Sequence, residues 1–177
     1  MQSLGRLWHY GIVPSRRSYS LTRVRWPDRF HRMIEGEDCP ICAEGRPEQT
    51  ADGVRFFAGN VADAYLRRRP IQRGLSVVIW RGRHVVEPTD LDDDEAVAFL
   101  REVRVVGRAI TAAFSPIKLN YNILGNAVPH LHVHIVPRYA DDPRPGWPFP
   151  FPEREPSPEP VELMRADLEA LQSALAR

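Results

Sequence analysis

The chain has 177 residues, 43% of them apolar and 27% charged, a balance that excludes a disordered polymer and suffices for one core-forming domain with decorated ends. Its 24 basic and 23 acidic residues leave a formal net charge of +1, which argues against a general nucleic-acid coat. No apolar run approaches the roughly 18 residues needed to span a bilayer, and the first thirty residues lack the compact apolar stretch of a secretory signal. The expectation is a soluble, cytoplasmic protein without membrane or nucleic-acid polymer partners.

Residues 1–37 carry scattered aromatics (Trp8, Tyr10, Tyr19, Trp26, Phe30) and no sustained period, which predicts an arm wrapping a surface. Five arginines precede the first acid, Asp28, as in a transit peptide, but Gly5, Gly11 and Pro14 interrupt any amphipathic helix. Cys39 and Cys42, the only cysteines, are spaced C-x-x-C and offer half a metal site, a redox pair or two inert thiols. A thioredoxin-like reading would need a strand running into the motif, which Gly36-Glu37-Asp38 does not provide.

Val54 to Phe57, Ala64 to Leu66 and Leu75 to Trp80 read as strands, with turns at Gly59-Asn60 and Gln72-Arg73-Gly74. Pro88-Thr89-Asp90 predicts a helix start, with Thr89 or Asp90 as cap and Asp92 to Glu95 suiting the positive end of the helix rather than a metal. Val97, Leu100, Val103, Val106, Ile110 and Phe114 draw one apolar stripe, and Ser115-Pro116 ends the helix. Lys118 to Leu124 and His130 to Val136 read as strands around a turn at Gly125-Asn126. Nine of the seventeen prolines fall between Pro137 and Pro160, which predicts an extended strap there and excludes a central strand. Val161, Met164, Leu168, Leu171 and Leu175 then predict a docked terminal helix.

The chemistry concentrates in Pro129-His130-Leu131-His132-Val133-His134-Ile135-Val136. Alternation in a strand puts three imidazoles on one face and Leu131, Val133 and Ile135 in the core. Such a row serves either metal ligation with an open position or nucleophilic attack on phosphorus.

His-x-His-x-His followed by two aliphatic residues resembles the signature of the histidine triad superfamily of nucleotide hydrolases and transferases. Leu75 to His84, the capped helix and the strand-turn-triad order extend the resemblance over about residues 38–140. It implies an α+β fold with an antiparallel sheet of about five strands, one long packed helix and a C-terminal helix, usually as a homodimer. The corresponding division is an arm at 1–37, the domain at 38–140, and the strap with its helix at 141–177. The resemblance further implies that His132 attacks the α-phosphorus of a nucleotide or dinucleotide to form a nucleotidyl-histidine, and that His134 hydrogen-bonds the phosphate. The attacking imidazole must be neutral, so its other nitrogen is expected to donate to a backbone carbonyl. Asn120, Asn122 and Asn126 are candidate phosphate contacts, and Pro40, Ile41, Tyr65 and Leu66 a candidate nucleobase cleft.

Two departures bear on the substrate. Ala127 stands where the superfamily often has a serine or threonine assisting the leaving group. Arg67 stands where it places an acid or asparagine on the ribose, and arginine has only donors, so it would suit a further phosphate or a solvated turn. Some bacterial members and the galactose-1-phosphate uridylyltransferases complete a C-x-x-C pair with two histidines, which correspond to His84 and His130. The resemblance therefore implies structural Zn²⁺ held by Cys39, Cys42, His84 and His130. The leading expectation is a hydrolase of nucleotide phosphoanhydrides or phosphoramidates. A nucleotidyltransferase, a low-activity nucleotide-binding module and a metallohydrolase using the triad as ligands are the competing classes.

Overall fold

The computed structural model describes residues 25–150, 154 and 156–177; the aromatics Trp8, Tyr10 and Tyr19 lie outside them. Two short helices, α1 (Asp28–Ile34) and α2 (Pro40–Glu44), precede strands β1 (Gly53–Ala58), β2 (Ala62–Arg67) and β3 (Ser76–Trp80). Helix α3 (Asp93–Phe114), strands β4 (Lys118–Asn122) and β5 (His132–Arg138), and helix α4 (Val161–Leu175) complete the chain. The five strands form one antiparallel sheet in the order β1-β2-β3-β5-β4. This is the expected α+β architecture.

Period-two alternation decides which face is which. Ala62, Ala64, Leu66, Val78, Trp80, Leu131, Val133 and Ile135 point to one side, where Phe99, Val103, Val106 and Ile110 of α3 and Met164 and Leu171 of α4 cover them. The opposite face carries Asp63, Tyr65 and Arg67 of β2, Val77 and Ile79 of β3, and His132 and His134 of β5.

The start of α3 differs from the expectation. Pro88–Asp90 is a separate 3-10 turn, in which the Asp90 carboxylate accepts from the backbone N–H groups of Val86 and Glu87. Asp92 caps α3 itself, accepting from Glu95 N–H at 2.8 Å while Glu95 accepts from Asp92 N–H at 3.0 Å. Reciprocal capping of this kind satisfies two otherwise unpaired amides, so Asp92 displaces Thr89 and Asp90 as the cap. The predicted stripe is also shifted: Val97 and Leu100 are exposed, and Phe99 is buried in their place.

The strap begins later than expected. Strand β5 runs through Pro137, which pairs with Leu119, to Arg138, which pairs with Lys118. Pairing of β5 with β3 stops at Ile135 opposite Ser76. Pro137 therefore sits where β5 has only one neighbour, and its missing N–H forfeits no sheet hydrogen bond on the β3 side. Arg138 is buried and gathers the start of the strap, donating to Asp142, Asn120 and the Arg144 carbonyl while its guanidinium lies over the Phe149 ring.

Two carboxylates lock the remaining joints. Glu102 on α3 accepts the backbone N–H of Asn60 at 2.7 Å and of Ala62 at 2.7 Å, closing the β1–β2 turn. Buried Asp167 on α4 takes a fork of two hydrogen bonds from Arg73, at 2.6 and 3.1 Å. No described helix is long and apolar enough to cross a membrane.

Candidate active site and metal centre

His132 and His134 project from β5 into a cavity of about 410 Å³ whose walls come from α2, the loop before β1, strands β2 and β3, and the loop after β4. Of the sequence candidates, Pro40, Ile41, Tyr65, Arg67 and Asn126 line it, as does Ala127. Asn120 and Asn122 do not. Asn122 pairs with His134 across the β4–β5 ladder, which sets it beside that histidine on the same face. Asn120 has its side-chain oxygen occupied by Arg138. Leu66 is fully buried among the α3 and α4 contacts, so it cannot face a ligand beside Tyr65.

The tautomer of His132 is fixed by its surroundings. Nδ1 lies 2.6 Å from the His130 carbonyl oxygen, which can only accept, so Nδ1 carries the proton and Nε2 the lone pair. Burial lowers the affinity of His132 for a second proton; the His130 carbonyl opposes this and the positive charge of Arg67 adds to it. Burial lowers His134 further, to about 4, with His132 and Arg67 contributing. The imidazoles meet edge to face at 4.9 Å between centroids. Both are therefore neutral near pH 7.

His130 departs from the one-face pattern. It precedes β5, is 2% exposed, and turns away from the cavity, with Nε2 at 2.8 Å from the Trp80 carbonyl. Nε2 donates there, so Nδ1 presents its lone pair to the cysteines, 3.5 Å from Cys39 Sγ and 3.5 Å from Cys42 Sγ. His84 Nδ1 lies 3.4 Å from Cys42 Sγ. One ligand atom from each of Cys39, Cys42, His84 and His130 falls within 4.8 Å of all the others, a set able to hold a metal ion. Cys39 is the residue before α2, so the segment that brings the thiols also brings Pro40 and Ile41 to the cavity wall.

Three polar lining residues had no signal in the sequence: Glu44, Thr50 and Asp52. They sit in α2 and a loop without periodicity, and register is what delivers them, since Gly53 pairs with Arg67. Asp52 lies 3.4 Å from Arg67 Nη1. Beneath Tyr65, buried Asp63 is bonded by Arg46 and Arg81, and Arg81 also donates to the Tyr65 hydroxyl, which itself donates to the Pro47 carbonyl. This buried network holds the Tyr65 ring against the cavity.

Comparison with known proteins agrees with this geometry. A curated relative, the asymmetrical bis(5′-nucleosyl)-tetraphosphatase of Schizosaccharomyces pombe, is 34% identical over 92 residues, which are 49% of this chain and 50% of that one. The chain thus spans about half the length of the curated relative it matches. A histidine triad protein from Marinobacter aquaeolei is 25% identical and superimposes with a TM-score of 0.63 over 71% of this chain and 90% of that one. A Zn-bound histidine triad family protein from Mycobacterium smegmatis is 28% identical, with a TM-score of 0.55 over 78% and 94%. Residues 48–141, from just before β1 to just past β5, match the HIT domain, and the chain belongs to that family.

Proposed function

We propose that the protein hydrolyses nucleotide phosphoanhydrides or phosphoramidates at the α-phosphate, with His132 as nucleophile. The observation that carries this reading is the His132 Nδ1–H···O=C bond to His130, which leaves an unprotonated Nε2 on a side chain lining the cavity. In the first step Nε2 bonds to the α-phosphorus and the bond from phosphorus to the leaving group breaks. Water then attacks that phosphorus, the N–P bond breaks, and a nucleoside monophosphate leaves with the water oxygen. His134, neutral beside His132, donates to the phosphate, and Asn126 supplies a second donor. Pro40, Ile41 and Tyr65 take the nucleobase. The tetraphosphatase relative supports a nucleotide substrate. Ala127 offers no hydroxyl to the leaving group, which favours one that departs without a proton, such as a phosphate chain.

The Cys39–Cys42–His84–His130 cluster fits Zn²⁺. A tetrahedral zinc with Zn–S near 2.3 Å and Zn–N near 2.0–2.1 Å has edges of about 3.3–3.8 Å, and the contacts at 3.4 and 3.5 Å match them. The Trp80 carbonyl fixes the His130 tautomer such an ion requires. The ion would be structural, tying α2 to β5, and the Zn-bound relative supports its identity. A homodimer would use the free edge of β4 and the exposed Leu100, Tyr121 and Ile123 beside it.

The experiment is intact-protein mass spectrometry after brief mixing with adenine and guanine dinucleotides and phosphoramidates. An adduct of one nucleoside monophosphate, absent from His132→Asn, is expected. Product without any adduct, or an unchanged adduct in the variant, overturns the covalent reading. Binding without turnover would favour the nucleotide-binding module, and transfer to an acceptor other than water the transferase.

A further inference from the structure

The cavity holds a charge that the reaction above does not use. Arg67 is the only arginine or lysine lining it among the described residues, so the guanidinium is its one fixed positive charge. Its ion-pair partner is Asp52, an exposed carboxylate at 3.4 Å. Because Asp52 is open to solvent, its hold on Arg67 is screened and yields at small cost to a stronger anion.

Register places this charge relative to the chemistry. Arg67 on β2 shares a face with His132 and His134 on β5, with β3 between them. Adjacent strands are spaced about 4.8 Å apart and residues rise about 3.4 Å along them, so the Arg67 Cα lies about 12 Å from that of His134 and about 16 Å from that of His132. Side chains on one face of a sheet stand roughly perpendicular to it, so much of the separation between the two Cα atoms carries over to the guanidinium and the nucleophile. That is too far for both to grip one phosphorus during attack, and it suits an anion one sugar ring away. Arg67 also lies on the same face of β2 as Tyr65, and both line the cavity with Pro40 and Ile41, which the nucleotide reading makes its nucleoside end.

We propose that Arg67 binds a second phosphate carried on the ribose, so that the preferred substrates are 5′-phosphate derivatives of a nucleoside bearing a 2′- or 3′-phosphate. This rests on the nucleotide reading above. In the absence of ligand Asp52 holds the guanidinium in place, and the ribose phosphate replaces it as a bidentate partner.

The test is titration calorimetry of the full chain with adenosine and guanosine 5′-monophosphates against their 2′,5′- and 3′,5′-bisphosphates. At least one bisphosphate should bind roughly 10- to 100-fold more tightly than its monophosphate, the range expected for a charge-assisted contact to phosphate. The gain should shrink with added salt. In Arg67→Gln the ratio should fall to about one, and in Asp52→Ala, where the competing carboxylate is gone, it should rise. Monophosphate binding with no gain for either bisphosphate overturns the proposal alone. A gain that survives in Arg67→Gln does the same. Equal weakening of both ligands in Asp52→Ala would assign that carboxylate to the ribose hydroxyls and overturn it as well. If no nucleotide binds at all, the nucleotide reading falls and takes this inference with it.

Discussion

His130 serves His132 with its backbone while its side chain serves a different site. Its carbonyl accepts the His132 Nδ1–H at 2.6 Å, and its imidazole, fixed by Trp80, faces Cys39 and Cys42. The nucleophile candidate and the metal cluster thus meet at one residue, through groups that mutation can separate.

Replacing His132 by asparagine keeps a polar side chain of similar size and removes the lone pair at Nε2. Turnover should fall by at least about 1000-fold while nucleotide binding persists, since the covalent route is lost but the cavity is not. Single-turnover kinetics with a dinucleotide, alongside calorimetry, reads both quantities. Loss of binding in parallel with turnover would mean that the side chain holds the ligand rather than attacks it.

Metal content is the second check. Protein purified without added zinc should carry about one equivalent per chain, and Cys39→Ser less than about half of one. Chelation should lower the melting temperature, because the cluster joins residues 39 and 42 to residue 130. Absence of metal, or content indifferent to Cys39→Ser, would leave the four residues as a packing cluster.

The pH dependence of stability follows from His134. Its pKa in the folded chain is about 4, below the ordinary imidazole value of 6.5, so the unfolded chain takes up this proton more readily. The stabilisation from keeping His134 neutral is whole above about pH 6.5 and is lost as the pH falls from there toward 4, by at most about 3 kcal/mol. Urea unfolding between pH 7 and pH 4 should show His134→Gln losing stability less steeply than the parent chain. Parallel curves would contradict the assignment.

Asp167 is 1% exposed and its fork to Arg73 joins α4 to the turn before β3. Asp167→Ala should cost about 1–3 kcal/mol, from the lost charged hydrogen bonds and a packing gap. Asp167→Asn, which retains acceptor capacity at one oxygen, should cost less. Equilibrium denaturation measures both, and equal losses would point to the carboxylate charge alone.

At Gly59 a Cβ would lie 2.2 Å from the Glu102 carboxylate that caps the β1–β2 turn. Gly59→Ala must therefore dislodge Glu102 and unpair the amides of Asn60 and Ala62. A loss comparable to Glu102→Ala, about 1–3 kcal/mol, is expected, with little further loss in the double variant because both changes break the same joint. Fully additive losses would show that the two residues act separately.

Much of this was legible in the sequence because it depends on short-range pattern. Alternation gave β1, β2, β3 and the inward Leu131, Val133 and Ile135, and the triad with C-x-x-C led to the metal set. Alternation also contained a warning about Leu66: neighbours on a strand face opposite ways, so Tyr65 and Leu66 could not share a cleft. Two acids within one turn, Asp90 and Asp92, made the helix start ambiguous until their hydrogen bonds separated a 3-10 turn from α3. Thr50 and Asp52 were invisible because a loop has no period, and only the pairing of Gly53 with Arg67 reveals which wall that loop forms. Pro137 was excluded from the sheet by a rule that holds between two neighbours, and it sits where there is one.

The strand order carries a consequence for how the chain folds. Strands β1, β2 and β3 are joined by short turns and pair with their neighbours in sequence, whereas β5 must enter between β3 and β4 after about 50 intervening residues that include all of α3. Closing so long a loop is slower than closing a hairpin. Until it closes, β3 presents an unpaired edge of Ser76, Val77, Val78 and Ile79, the pattern most prone to pairing with another chain. The strand bearing His132 and His134 is also the one that seals this edge, so a nascent chain is most vulnerable to aggregation in the interval before its triad is in place.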